Sequence, residues 1–410
     1  MLKKIIVVVI LIMIFALAGI YFYRHAIIKH YAEKIVRENL PGYIKIDKVD
    51  FDFANNKVSL KNFRVLNAPG FPSQFFLKVN DISCRYDILG RGIPTGLEIS
   101  EVSMTGADIR IERLRNGRVN AAEMENFVKS FEKDASSPVI ASPAAFRRDE
   151  AILKKETTST HSVASNDNLA KLLKLPDSFD IKNARLVFMD KVPYENPYII
   201  TIEPVNGHVS INFTDNYSKI NNVSYALSGN LNGDRNQSIQ WLASLDPNKP
   251  KLTMSNRFDV SGLELLTFEP YYDSFSPLIF KRGRVSGTLV FDFNNGNIGS
   301  TNEIYLSGLV FAVKRGYENS EMCGTTVPEI MRYFTTTSGD VVFDFKLKGD
   351  MNNPTFYLGP ISKRAMTSMV VDKIASYAID QATKQQGGAN NDIDKAKQAI
   401  DMVRQFLKKQ

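Results

Sequence analysis

The chain has few of the residue types on which metal sites and disulfide scaffolds depend. Its 410 residues include two cysteines, four histidines and one tryptophan. Cys84 and Cys323 lie far apart and neither has a second cysteine nearby, which excludes a disulfide scaffold and a paired-cysteine zinc site. Cys84 shares strand parity with Ile82 and Tyr86, and this predicts a buried thiol. A Cys84–Cys323 bridge stays open as an alternative if the domain is exported.

Catalytic and nucleotide-binding motifs are also absent from the sequence. It contains no HExxH, GxSxG, P-loop, Rossmann fingerprint or EF-hand loop. The run that begins at Asp292 lacks the spacing and the final glutamate of a calcium loop, and is predicted to be a turn. We therefore expect no catalytic residues, no metal, no cofactor and no enzymatic activity.

The sequence has a small excess of positive charge and no nucleic-acid-binding motif. There are 51 lysines and arginines against 44 aspartates and glutamates, a formal net charge of +7, and no basic block. This pattern gives no support to a nucleic-acid partner. It is compatible with a mixed, solvated surface or with attraction to anionic lipid.

The long hydrophobic run is N-terminal. Residues 5–23 carry no charge, and nineteen helical residues span about 28 Å, close to the thickness of a bilayer core. Residues 1–23 are therefore predicted to be an uncleaved transmembrane anchor. The preceding Lys3 and Lys4 favour export of the rest of the chain, although cations beyond the run favour the opposite orientation by charge count.

Composition and periodicity divide the remainder into five segments. Helical spacing followed by Pro41-Gly42 predicts an anchor-proximal helix over 24–42. Short strands with turn signals predict a β module over 43–133, and a second over 169–360. Residues 134–168 are rich in Ser, Ala, Thr and Pro and are predicted to be a flexible linker or insertion. Residues 361–410 have the pattern of amphipathic helices.

A recurrent change of phase runs through both β modules. Two non-core residues interrupt the alternation of apolar and polar positions, after which the apolar residues continue on the other parity. We interpret the interruptions as β-bulges, which return the apolar side chains to one face. A turn, or a strand that switches between two sheets, is the alternative. The interruptions are Asp47-Lys48, Lys61-Asn62, Asn80-Asp81, Ser100-Glu101, Lys182-Asn183, Ser261-Gly262 and Ser307-Gly308.

Other strands alternate without interruption. They have one apolar face and one polar, solvent-exposed face, which we call the wet face. The wet face is predicted to hold Ser286, Thr288, Asp292, Asp344, Lys346 and Lys348. Little helix is available to cover the apolar face, so either two sheets cover each other or one curved sheet encloses an apolar interior. The candidate lining residues are Val49, Phe51, Phe53, Leu60, Phe63, Ile109, Ile111, Leu186, Phe188, Val285, Leu289, Phe291, Phe293, Val341, Phe343 and Phe345.

Taken in order, these pieces resemble the AsmA-like family of Gram-negative envelope proteins. The resemblance is carried by the N-terminal apolar run and by five stretches: YIKIDKVDFDFANNKVSLKNFRVLNAPGF (43–71), LEISEVSMTGADIRIERLRNGRVN (97–120), FDIKNARLVFMD (179–190), FEPYYDSFSPLIFKRGRVSGTLVFDF (268–293) and LKGDMNNPTFYL (347–358). The family resemblance implies a single-pass inner-membrane protein with most of its chain in the periplasm.

The resemblance also implies a fold and a function. The expected fold is mainly β: an N-terminal transmembrane helix, a long curved antiparallel sheet forming a groove, and short C-terminal helices, with two β-sandwich-like domains as the alternative. The expected function is binding of phospholipid or other acyl lipid in the groove, in phospholipid transport between membranes or in outer-membrane biogenesis, with other envelope proteins as further partners. The alternative is a structural scaffold of the envelope. Structural roles at bulges and turns are expected for Asp47, Lys48, Pro270, Tyr271, Gly283, Gly349 and Pro354.

Overall fold

A computed structural model describes residues 42–52, 54–89, 96–136, 173–174, 176–214, 220–318, 321–322 and 325–384. These ranges leave out the predicted anchor, nearly all of the anchor-proximal helix, most of the linker, Phe53, Cys323 and the last helical segment. No helix among the described residues is long and apolar enough to cross a membrane. The chain divides into two compact units, one up to Val192 and one from Pro193 onward, with residues 213–219 assigned to the first.

The described elements are mostly strands. The strands are β1 (Ile44–Lys45), β2 (Lys48–Asp52), β3 (Lys57–Leu66), β4 (Phe75–Leu89), β5 (Gly96–Arg113), β6 (Leu173–Lys174), β7 (Ser178–Asp190), β8 (Tyr198–Phe213), β9 (Ile220–Asn230), β10 (Ser238–Leu245), β11 (Met254–Glu264), β12 (Leu278–Asn294), β13 (Asn297–Val313), β14 (Glu321–Met322), β15 (Thr325–Thr326), β16 (Val341–Asp350) and β17 (Thr355–Leu358). The helices are α1 (Asn120–Ser136), a 3₁₀ turn (Leu265–Phe268), α2 (Glu269–Tyr272), α3 (Val327–Phe334) and α4 (Pro360–Lys384).

In the first unit, neighbouring strands follow the order β1-β3-β4-β5-β7, with β2 also on β3 and β6 on β5. Pairing is antiparallel except between β5 and its partners β6 and β7, which are parallel to it. Apolar residues meet across the strands in continuous rows. Two of these rows are Val49–Leu60–Ile82–Met104–Ile181 and Ile44–Val65–Leu77–Ile109–Leu186.

In the second unit, the strand order is β8-β9-β10-β11-β12-β13-β16-β17. The hairpin between β12 and β13 shows how local sequence sets this order. Asn294 pairs with Asn297, and the two residues between them, Asn295 and Gly296, have positive φ angles of 49° and 82°. An Asn-Gly pair tolerates this backbone, which matches the twist of the flanking strands. The turn predicted in this run is therefore confirmed.

The prediction of a mainly β protein is confirmed, and the sheet is open and rich in antiparallel pairs. The alternative of two sandwiches requires a second sheet facing the first. Within each unit, every described strand apart from the two-residue strands β14 and β15 belongs to the strand order given above. The structure thus favours an open sheet over a sandwich.

Three of the seven interruptions are β-bulges. The pairing register shifts at Glu101, at Gly262 and at Gly308, and each of these residues has a positive φ angle, of 47°, 68° and 58°. In each case the residue is the second of the two that break the phase. One extra residue on one strand restores the apolar side chains to the same face.

Two further interruptions have the left-handed residue without a register shift. Asn62 and Asn183 both have φ of 51°. They lie in one row that crosses β3, β4, β5 and β7 and that includes Asn80 and the left-handed Gly106. Since neighbouring strands break phase in the same row, the ladders stay in register.

The expectation of a bulge at Asp47-Lys48 is wrong. Lys45 pairs with Arg64 and Lys48 with Lys61, so neither strand has an extra residue between these pairs. Asp47 instead separates β1 from β2, donates its backbone N–H to the Lys61 carbonyl at 3.2 Å, and forms an ion pair with Arg64. The interruption here is a gap in pairing opposite the left-handed Asn62.

We expect alanine substitutions at the bulge glycines to lower the stability of the second unit by different amounts. A Cβ at Gly262 would collide with the carbonyl oxygen of Asn236, and its left-handed backbone adds strain, so Gly262→Ala should destabilise the second unit by about 2–3 kcal/mol. At Gly308 an added Cβ would meet no neighbour within 4 Å. Gly308→Ala should therefore lower the free energy of unfolding by about 1 kcal/mol, through backbone strain alone. The measurement is denaturant unfolding followed by the fluorescence of Trp241.

Gly299→Ala is the matched control. Gly299 lies in the same strand as Gly308, has no left-handed φ and has open space around its Cα. We expect its unfolding midpoint to equal or slightly exceed that of the wild type. Equal midpoints for all three variants would contradict the bulge assignment.

Candidate functional site

Apolar side chains form a broad face on the second unit. Register pairs place them in rows that run from β9 to β13 and on to β16 and β17. Three of these rows are Val223–Leu245–Met254–Phe293–Ile298, Leu227–Trp241–Phe258–Leu289 and Val285–Leu306–Val341. The predicted residues Val285, Leu289, Phe293 and Val341 are all members of these rows.

One end of this face holds a half-open cavity of about 600 Å³. All of its lining side chains are apolar: Leu265, Phe268, Phe280, Val285, Ile304, Leu306, Ile330, Met331, Phe334, Val341, Phe343, Phe356, Leu358 and Met366. Three of the predicted lining residues, Val285, Val341 and Phe343, contribute to it. Leu289, Phe291, Phe293 and Phe345 lie on the strand rows outside the cavity.

The bulges determine which side chains reach the cavity. Phe280 and Val285 have opposite parity on β12, yet both line it. Register shifts on either side of Arg282 separate them. Gly283 lies within the second of these shifts, between Arg282 and Arg284, and an added Cβ there would meet Leu309 at 2.9 Å. It therefore lies inside β12 at a register irregularity, which agrees with the expected structural role at a bulge and not at a turn.

Other residues expected at turns have mixed outcomes. Pro270 and Tyr271 lie in the short helix α2, with the proline in its first turn. Gly349 lies near the end of β16 with φ of 109°, and Pro354 directly precedes β17. None of them touches the cavity.

Two helices form the roof of the cavity. Met366 and Met369 of α4 form a buried cluster with Leu358, and Ile330 and Phe334 of α3 pack against that cluster. A capping box between Thr326 and Glu329 starts α3. The lining residues Ile330, Met331, Phe334 and Met366 were not predicted, because a helical stripe looks the same whether it covers a core or a cavity.

Asp344 anchors the roof to the sheet. Its side-chain oxygens accept the backbone N–H groups of Ile361 and Ser362 at 3.1 and 2.6 Å, at the N-terminus of α4. Its own N–H donates to Ser362 Oγ at 2.9 Å. The expectation that Asp344 lies on a wet face is therefore wrong, because the residue is only 7% exposed. A carboxylate is favourable at this end of a helix.

The single tryptophan lies within the apolar face. The Trp241 ring stacks on Phe258 with centroids 5.3 Å apart and meets Tyr225 edge-on at 4.7 Å. Burial raises the pKa of Tyr225 to about 12, as expected for a phenol in apolar surroundings. Trp241 is thus a native fluorescent reporter of this face.

The few polar groups of the face are satisfied internally. Trp241 Nε1 donates to Asn256 Oδ1 at 3.2 Å. Asn302 is 1% exposed; it donates to Ser300 Oγ at 2.8 Å and accepts the Val290 N–H at 3.2 Å. These side chains are left with little capacity to recognise a polar ligand.

The first unit presents its own apolar rows, separate from the cavity. Phe51 faces Val58, and Ile111 faces Phe188 across the parallel pair. Within these rows Val49 is buried. Leu60, Phe63, Ile109, Leu186 and Phe188 are half-buried. The free Cys84 is half-buried, so the predicted burial of its thiol is only partial; this burial raises the pKa of the thiol.

A buried polar network in the first unit was not predicted. Glu112, 2% exposed, accepts Asn67 Nδ2 and the Ser73 N–H, both at 3.2 Å. Its backbone N–H donates to Asn120 Oδ1 at 2.9 Å. These bonds tie the 67–73 loop and the start of α1 to β5. In the described part of the chain, no group of three or more His, Cys, Asp or Glu side chains is placed to hold a metal.

Comparison with known proteins gives no family assignment. No protein-family model matches the chain, and no curated protein is significantly similar to it.

The role of Asp344 gives a test of the roof. Asp344→Ala removes the acceptor at the start of α4 and should destabilise that helix by about 1–2 kcal/mol, hence roughly tenfold faster exchange of its amides. Hydrogen exchange of peptides within Pro360–Lys384 measures this. Asp292→Ala, an exposed aspartate of β12, should leave the exchange unchanged. Equal protection in both variants would contradict the anchoring role.

Proposed function

We propose that the chain is a non-enzymatic, AsmA-like lipid-handling protein that binds acyl chains on the apolar face of its second unit. Binding of this kind would serve phospholipid transport between membranes or outer-membrane biogenesis. The proposal includes an anchor in the inner membrane and a periplasmic location for the sheet.

The 600 Å³ cavity with wholly apolar lining carries the proposal. Its volume is typical of small-molecule sites. Folded interiors are otherwise packed closely, with few voids larger than a water molecule. Water gains no hydrogen bonds in such a space, so an apolar ligand is the occupant that fits.

The chemistry of the face also suggests how selective binding would be. Burial of apolar area contributes about 25 cal/mol per Å² without directed bonds. Asn256, Ser300 and Asn302 already bond within the protein. We therefore expect the face to bind acyl chains of many lipids, with head groups left outside.

Photo-crosslinking from a single position tests the proposal in the full chain. Phe356 lines the cavity and is 43% exposed, so a benzoylphenylalanine should be tolerated there. We expect lipid adducts on this position, detected by mass spectrometry of the peptide. The matched control is the same probe at the neighbouring Thr355, on the opposite parity of β17, which should yield few adducts. Equal yields at both positions would contradict acyl binding in the cavity.

A negative charge introduced on the apolar face of the second unit distinguishes lipid binding from the alternative, a scaffold with a closed core. Phe291 is half-buried and lies outside the cavity on the same face. We expect Phe291→Glu to stay folded, by Trp241 fluorescence, and to lower the lipid adducts at position 356 at least threefold. Phe291→Leu should retain both properties. A closed core instead requires Phe291→Glu to unfold the unit, since a buried unpaired charge is costly.

A further inference from the structure

The most exposed large apolar side chain of the described ranges is Phe275, at 86%. It lies in the turn between α2 and β12. This turn is held in place: the Phe275 N–H donates to the Tyr272 carbonyl at 3.0 Å, and Ser276 Oγ accepts the Leu278 N–H at 3.0 Å. Phe275 is therefore presented to solvent by a hydrogen-bonded backbone.

A second turn lies beside the first. The Lys314 N–H donates to the Pro277 carbonyl at 2.9 Å, and Lys314 Nζ pairs with Asp273 Oδ1 at 2.8 Å. This second turn ends at Tyr317, which is half exposed. We call residues 273–277 and 314–317 the paired turns.

Cations outnumber carboxylates in the two segments that carry the paired turns and the start of β12. Residues 273–284 and 314–318 contain five lysines and arginines against two carboxylates. Of the cations, Lys281, Arg282, Arg284 and Arg315 are exposed. Of the two carboxylates, Asp273 is paired with Lys314, and Glu318 accepts the Gly316 N–H at 2.7 Å. Within these two segments the excess charge is positive.

The paired turns are adjacent to the cavity. Tyr272 packs edge-on against Phe280 with ring centroids 5.3 Å apart, and Phe280 lines the cavity. The 3₁₀ turn that leads into α2 supplies two more lining residues, Leu265 and Phe268. A partner on the paired turns would therefore sit at one end of the cavity.

We propose that the paired turns dock on a bilayer surface that contains anionic phospholipid. Phe275 inserts among the acyl chains, and Lys281, Arg282 and Arg315 contact head-group phosphates. One protruding aromatic with a rim of cations matches an interfacial anchor. A stable protein interface needs a broader area, about 1,000 Å² or more. This inference deepens the proposed function, because it places the cavity where lipid enters or leaves.

Vesicle flotation of the full chain, held in phosphatidylcholine nanodiscs, tests the docking. We expect binding to vesicles that contain one-third phosphatidylglycerol, weaker binding to pure phosphatidylcholine, and loss of binding at high salt. Phe275→Ser should lower binding to the anionic vesicles about tenfold, since it removes the inserted side chain. Lys281→Gln combined with Arg282→Gln should lower it as well.

Val371→Ser is the matched control, since Val371 is 56% exposed on α4, and it should bind as the wild type does. Unchanged vesicle binding of Phe275→Ser would overturn the docking. The docking would also be overturned if Phe275→Ser dissociated a dimer of the chain but still bound the vesicles. The lipid adducts at position 356 report on the cavity separately. Their absence beside a Phe275-dependent flotation would reject acyl binding in the cavity and support the docking.

Discussion

The structure depends on keeping apolar side chains on one face of long strands whose sequence changes phase. Strict alternation would send half of them to the solvent side after each interruption. At five of the seven breaks the second residue is left-handed: Asn62, Glu101, Asn183, Gly262 and Gly308. Where a single strand breaks phase, the extra residue forms a bulge. Where neighbouring strands break in the same row, their register is preserved.

The cavity follows from this device. Phe280 and Val285 reach the same space because the register shift between Phe280 and Arg282 adds one residue to β12 and so reverses the parity beyond it. Leu265 and Phe268 come from the 3₁₀ turn that follows the bulge at Gly262. The roof adds Phe334 from α3 and Met366 from α4, and the buried Asp344 fixes the start of α4 to the edge of the sheet. Sheet, bulges and roof together leave a half-open space whose lining side chains, among the described residues, are all apolar.

The local pattern of apolar, polar and turn residues was sufficient to predict part of the fold and of the cavity lining. Alternation predicted the strands and the shared face of Val285, Val341 and Phe343, and the Asn-Gly pair predicted the β12–β13 turn. Pairing information was not available from one sequence. For this reason the gap at Asp47 resembled a bulge. Asp344 was assigned to solvent because alternation along β16 cannot show that a helix will begin beside it.

Quenching of Trp241 by brominated acyl chains tests the central claim most directly. The chain has one tryptophan, and it lies in the apolar face between Tyr225 and Phe258. Bromine quenches only at short range, so a fatty acid brominated along its chain should quench Trp241 in a saturable manner, and the unbrominated acid should reverse the effect by competition. Lipid binding on this face predicts that result. An unquenched Trp241 in a folded protein, at concentrations where the fatty acid is bound, would contradict it.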